Sequence, residues 1–290
     1  MWANFISHCD EGAIFHNSRS ELFHIRRMPN ISLKAYDSEA FQNFADAFRA
    51  FSVCRQIRTG ERLEMFTKLW YNIEKIAEGN IVKKLFTAIQ KNDIETARSL
   101  LDKSPDLISC VLKGTPKKFD GQSPLQVALK TSSTEMIELL LTYNPNVNFI
   151  EDESCANPWR APVIHDAINR AIMYSRWNVN RPDGLEVFND EKSANDAFAV
   201  LKEIIDMGAD VNAKDSFGNA CIDRACLQAR QILPRKDDTD RILTPEIRSD
   251  ISRIFKLLVE NGADMGYIAP NAFGKTYKEQ YENETVGEFI

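Results

Sequence analysis

The run Asp120-Gly121-Gln122-Ser123-Pro124-Leu125-Gln126-Val127-Ala128 constrains the fold more than any other stretch of the chain. Ser123 is placed to cap a helix, because its hydroxyl can accept a backbone N–H of the first turn. Pro124 follows at the first helical position, where its missing N–H costs nothing. Leu125, Ala128 and Leu129 then share one face at helical spacing. Thr131, Ser132 and Ser133 break this helix, and Met136, Ile137, Leu139, Leu140 and Leu141 give a second helix its apolar face. Asn144 stands where the second helix must turn out. That place calls for a left-handed backbone, which Asn tolerates and Gly adopts without penalty.

The same ending returns along the chain. Asn144-Pro145-Asn146-Val147-Asn148 is followed by Gly208-Ala209-Asp210-Val211-Asn212 and by Asn261-Gly262-Ala263-Asp264-Met265. The starts return as well. Val163-Ile164-His165-Asp166-Ala167 matches Pro124 to Ala128 in register, and Phe217-Gly218-Asn219 and Phe273-Gly274-Lys275-Thr276 match the turn before it. An earlier helix pair is expected at about 81–90 and 94–101. Second helices of the later units are expected at about 197–207 and 248–260.

These turns, paired helices and endings resemble the ankyrin repeat, a β-turn followed by two antiparallel helices in about 33 residues. The resemblance covers roughly residues 80 to 290. It places units at about 81–115, 116–150, 159–213, 215–265 and 271–290. It implies an all-α solenoid, since a single unit cannot bury its apolar face without stacked neighbours. The family's Thr-Pro-Leu-His element is degenerate here. It reads Ser-Pro-Leu-Gln126, Pro-Val-Ile-His165 and Ala-Cys-Ile-Asp223 in three successive units.

The spacing is irregular. Asn144 and Gly208 lie 64 positions apart, and Gly208 and Gly262 lie 54 apart. Both surpluses fall between the two helices of a unit, at about 171–192 and 230–247. Each either lengthens a helix or forms a loop. Insertions of this size are more often functional or disordered than neutral.

Residues 1–79 do not follow the repeat pattern. Helices are expected at 39–51, with Phe41, Phe44 and Phe48 on one stripe, and at 61–78. Together they read as a helical cap over the open end of the stack, which terminal units require for solubility. The alternative is a small domain with its own function. His8, Cys9, His16 and His24 gather near the start, but their spacing fits no tight zinc-ligand pair. No metal and no cofactor is expected.

Catalytic signals are weak. Residues 269–276 satisfy a loose phosphate-loop pattern, yet no strand precedes them, and Gly274-Lys275-Thr276 aligns with Gly121-Gln122-Ser123 as a turn and cap. His165-Asp166 falls at the helix start, where the family's histidine makes structural hydrogen bonds. Cys9 with His16 or His24 is the one nucleophile arrangement worth a test. The net charge of −6 argues against a nucleic-acid partner. No apolar run approaches the roughly 18 residues that span a membrane. Six scattered cysteines without a Cys-x-x-Cys pair read as reduced thiols in a cytoplasmic setting.

The expected function is protein binding without chemistry, such as a bacterial effector or viral inhibitor that sequesters a host factor. The alternative is an enzyme whose catalytic part lies in the first 80 residues. In the family, partners meet the loop tips and the first helix of each pair. By register the candidate contact residues are Lys117, Lys118, Phe119, Asp120 and Gln122. The next loop offers Asn148, Phe149, Ile150, Trp159 and Arg160, and the third offers Asp215, Phe217 and Asn219. Tyr174, Arg176 and Trp177 in the first insertion form a second candidate surface.

Overall fold

Helices dominate the architecture because the apolar residues recur at helical spacing, and their pairing follows the breaks between them. The computed structural model describes residues 79–290, except positions 154, 156, 236–238 and 271. The expected N-terminal helices, the histidine cluster and Cys9 lie outside the described residues. A helix passes through 79–91 (α1) and turns at Asn92, whose φ is 55°. Asp93 then caps α2, Ile94–Lys103, by accepting from the Thr96 amide at 3.0 Å. After two short 3-10 turns come α3, Pro124–Thr131, and α4, Thr134–Thr142. The cap on α3 is reciprocal: the Ser123 hydroxyl accepts from Gln126 N, and the Gln126 side chain accepts from Ser123 N.

The chain continues with α5, Val163–Met173, then a β-hairpin of β1, Asn178–Arg181, and β2, Gly184–Val187. Next come α6, Glu191–Asp206, α7, Cys221–Ala229, and α8, Pro245–Glu260. A short α9, Tyr277–Tyr281, and a 3-10 turn, Thr285–Phe289, follow.

The first helices form one row, with α5 packed on both α3 and α7. The second helices form another, in which α4 touches α2 and α6, and α6 touches α8. Helix α5 is enclosed on nearly every side, so Ile164, Ile168 and Ile172 are all buried. Each contributes about 1.5–3 kcal/mol through removal of its side chain from water.

The left-handed residues fall where the sequence demands them. Asn144 has φ 52°, Gly208 93° and Gly262 89°. Beyond these turns, an asparagine in each ending ties one unit to the next. Asn148 donates to Gly208 O at 3.0 Å and accepts from Asp210 N at 2.8 Å. Asn212 repeats this with Gly262 O at 2.9 Å and Asp264 N at 2.7 Å.

Positions 126, 165 and 223, equivalent in register, each bond to a later segment with different atoms. Gln126 Nε2 donates to Ala161 O at 2.9 Å in the following loop. The imidazole Nε2 of His165 lies 3.1 Å from Ala213 O in the loop after that. Asp223 has no donor, and instead accepts from the Tyr277 hydroxyl at 3.2 Å. An amide and an imidazole can each donate to a carbonyl, whereas a carboxylate must receive. The substitution at 223 is matched by a hydroxyl in the next unit.

The insertions correct three expectations. The first contains a hairpin, so the purely helical reading omits a two-stranded sheet. It also extends α6 backward to Glu191, because Asp190 caps it there by accepting from Ser193 N at 2.7 Å. In the second, α8 begins at Pro245, three residues before the expected start. Proline at that position is compatible with the first helical turn, and Thr244 before it is extended.

Candidate protein-binding surface

Between the helix pairs the chain makes narrow loops that project like fingers. Leu112 N donates to Gln122 O and Gly121 N to Leu112 O, closing the first. Glu151 N to Ala161 O and Val163 N to Phe149 O close the second. Asp215 and Asn219 close the third, by an Asp215 N to Asn219 O bond at 3.0 Å. Adjacent fingers touch through backbone: Asp152 N donates to Gly121 O, and Ser216 N to Arg160 O. Two turn glycines make that approach possible. A Cβ on Gly121 would lie 2.5 Å from Cys155 Cβ, and one on Gly218 would lie 2.8 Å from Pro270 Cγ. Both glycines also hold φ near +83°, in the left-handed region.

Beneath the first two fingers lies a buried charge cluster. Lys130 Nζ sits 3.0 Å from Glu151 and 3.2 Å from Asp166, and both carboxylates are buried. Gln122 Nε2 donates to Glu151 at 2.7 Å, and Glu151 also accepts from Ala161 N. One ammonium therefore serves two carboxylates. Burial pushes the Asp166 carboxyl up to about 6, against the pull of Lys130. Burial also depresses the His165 imidazole to about 4. His165 is enclosed, and its Nε2 is engaged by the Ala213 carbonyl. Among the described residues no cluster of His, Cys, Asp or Glu could hold a metal ion.

The candidate contact residues divide by what their side chains already hold. Phe119, Gln122 and Asp215 are buried, which withdraws them from the surface. Trp159 donates its indole N–H to Asp215 at 2.8 Å, and Asn219 Nδ2 donates to the same carboxylate at 2.9 Å. Burial alone would raise the Asp215 pKa, but these hydrogen bonds outweigh it and hold the carboxyl below its ordinary value. Phe149 is half-buried against the core, and Asp120 accepts from Gly114 N at 2.7 Å. Asn148 belongs to the ladder between units. In the insertion, Arg176 grips Asp250 through two bonds of 2.9 Å, and Trp177 stacks on Phe188 at 4.0 Å. Both are internal braces. Tyr174 is exposed, with the Arg170 guanidinium 4.4 Å from its ring centre.

Several apolar side chains are exposed on the loops between helix pairs. Ile150 and Phe217 were expected there. Ile268 and Phe273 were not, yet Phe273 is 96% exposed. The signal for it was available, because Phe273-Gly274 repeats Phe217-Gly218 in register. Lys117 and Lys118 are exposed on the first finger. A groove of about 460 Å³ separates the second and third fingers, lined by Ile150, Asp152, Glu153, Arg160, Lys214 and Ser216.

A finger turn, two antiparallel helices and the start of the next finger occupy residues 120–152. That segment matches the ankyrin repeat family model. The chain carries an ankyrin repeat. No curated protein matches the chain at a significant level. The matched ankyrin repeat is the unit in which the cap, the break and the left-handed Asn144 are all present. Among the described residues no helix is long and apolar enough to cross a membrane.

Proposed function

We propose that the chain is a protein-binding module built as an ankyrin-type solenoid, with its partner held across the finger tips and no chemistry of its own. The ankyrin repeat at 120–152 favours protein–protein interaction. The observation that carries the reading is the exposure of Ile150, Phe217, Ile268 and Phe273 on loops between helix pairs. Large apolar side chains held on a rigid backbone are typical anchors of an interface. The second and third fingers are braced by backbone bonds and by the Trp159–Asp215 and Lys130–Glu151 contacts, so Ile150 and Phe217 are preorganised.

The irregular insertions suit one dedicated partner, as in an effector or inhibitor that sequesters a single protein. Four described cysteines carry free thiols, which supports a reducing, cytoplasmic setting. The test is quantitative affinity capture with the intact chain, compared with Phe217→Ala and Phe273→Ala. Each substitution should weaken the specific partner about tenfold, the weight of one interface anchor. The unfolding midpoint should stay unchanged for Phe273→Ala, whose side chain is 96% exposed, and fall only slightly for Phe217→Ala, which is half covered. Full retention of every specific partner by the double variant would reject the finger surface.

A further inference from the structure

The hairpin inserted between α5 and α6 leaves one edge open. Its register pairs Asn178 with Val187, Val179 with Glu186, Asn180 with Leu185 and Arg181 with Gly184. Antiparallel pairs alternate between hydrogen-bonded and non-hydrogen-bonded. The Asn180 amide donates to Asp240 O at 2.6 Å, on the side away from β2. Asn180 and Leu185 are therefore a non-bonded pair, and two residues along so are Asn178 and Val187. It follows that Leu185 and Val187 turn their backbone N–H and C=O groups toward the outer edge. The Phe188 N to Trp177 O bond of 2.8 Å fits the same alternation.

The far side of β1 is covered. Asn178 donates to Ile242 O at 2.8 Å and accepts from Ile242 N at 2.9 Å, and Asn180 Nδ2 donates to Thr239 O at 3.1 Å. The second insertion thus covers this edge of β1, chiefly through the Asn178 and Asn180 side chains. No segment among the described residues does this for β2. Leu185 and Val187, two apart on one face, are 41% and 52% exposed. The stacked Trp177–Phe188 pair fixes the base of the hairpin.

We propose that β2 accepts an extended, basic segment of another protein as an added strand, with alternating apolar side chains on Leu185 and Val187. Charge selects this occupant over a second copy of the chain. Residues 181–196 hold Asp183, Glu186, Asp190, Glu191 and Asp196 against only Arg181 and Lys192, so after the Arg181–Glu186 and Lys192–Asp196 ion pairs the excess is carried by Asp183, Asp190 and Glu191. Pairing β2 with its own copy through Leu185 and Val187 would set Glu186 opposite Glu186. Like charges directly opposite oppose pairing, whereas a Lys or Arg at that place favours it. The main-chain bonds supply attachment, and the alternate side chains and charge supply selectivity. This surface is separate from the finger tips and stands or falls independently of them.

The test uses the full chain and two fluorescent ten-residue peptides that alternate Val with Thr and Lys, or with Thr and Glu. The basic peptide should bind at least tenfold more tightly, by anisotropy, and slow hydrogen exchange at the Leu185 and Val187 amides. Val187→Pro removes an outward N–H without touching a bond to β1. It should weaken the peptide at least tenfold and leave the unfolding midpoint unchanged. Should that variant disturb the hairpin, Leu185→Thr with Val187→Thr keeps strand propensity and should still weaken binding at least threefold. Absence of binding, equal affinity for the two peptides, or unchanged exchange at those amides overturns the proposal. So does a concentration-dependent dimer that Val187→Pro abolishes, since the occupant would then be a second copy.

Discussion

Replacement of Arg176 by Ala should destabilise the fold while leaving partner capture intact. The Asp250 carboxylate is buried on α8 and receives Arg176 Nε and an Arg176 terminal nitrogen, each at 2.9 Å. Hydrogen bonds to a charged group contribute about 1.5–3 kcal/mol each, so loss of both sets an upper bound of roughly 3–6 kcal/mol. Two facts reduce it. Arg253 remains 3.1 Å from Asp250, and the Arg176 backbone N–H still donates at 3.0 Å. The Arg176 side chain is also 20% exposed, which weakens the pair through solvent screening. The expected loss is therefore about 2–3 kcal/mol, or roughly 4–12 °C in unfolding midpoint for a unit of this size. Urea denaturation of the wild type, Arg176→Ala and Arg176→Lys reads it directly. Lys should recover only part, because a point charge cannot match the two-bond geometry. A change below about 0.5 kcal/mol, with partner capture lost, would return Arg176 to the binding surface.

Two buried groups should impose opposite pH slopes in one window. His165 is depressed to about 4, so its contribution is present above the unfolded value near 6.5 and lost as pH falls toward 4. Asp166 is raised to about 6, so its contribution is present below the unfolded value near 3.9 and lost as pH rises through about 6. Relative to wild type, stability by urea midpoint should rise more steeply from pH 4.5 to 6 in Asp166→Asn. It should rise less, or fall, in His165→Gln, where the amide can still donate to Ala213 O. Parallel profiles in all three proteins would refute the assignment. Gly218→Ala should cost more than Gly274→Ala, although φ is +82° and +77° at the two sites. Both incur the left-handed penalty of about 1 kcal/mol, but only at 218 does the new Cβ meet a neighbour, Pro270 Cγ at 2.8 Å. Equal losses in thermal melts would show that the fingers separate freely.

Much of the helical frame was legible because its signals are local. The Ser123–Gln126 cap, the left-handed Asn144, Gly208 and Gly262, and the equivalence of Gly121, Gly218 and Gly274 each depend on a few neighbouring residues. The contact surface was less legible. Phe119 and Phe217 look alike in sequence, yet one is 4% exposed and the other 50%. Trp159 and Arg176 read as candidate contact residues, since an aromatic or an Arg on a loop gives no local sign of an internal partner. Their partners, Asp215 and Asp250, lie 56 and 74 positions away.

The sequence by itself determined the caps, breaks and left-handed turns of the helix pairs outside the insertions. It also fixed which positions require a glycine or asparagine backbone. Only the tertiary structure decided which side chains were consumed between units and which remained outward. It alone showed the first insertion as a hairpin with a covered edge and an open one. Backbone preference acts over three or four residues, whereas burial and pairing depend on chain segments that meet only in the folded chain.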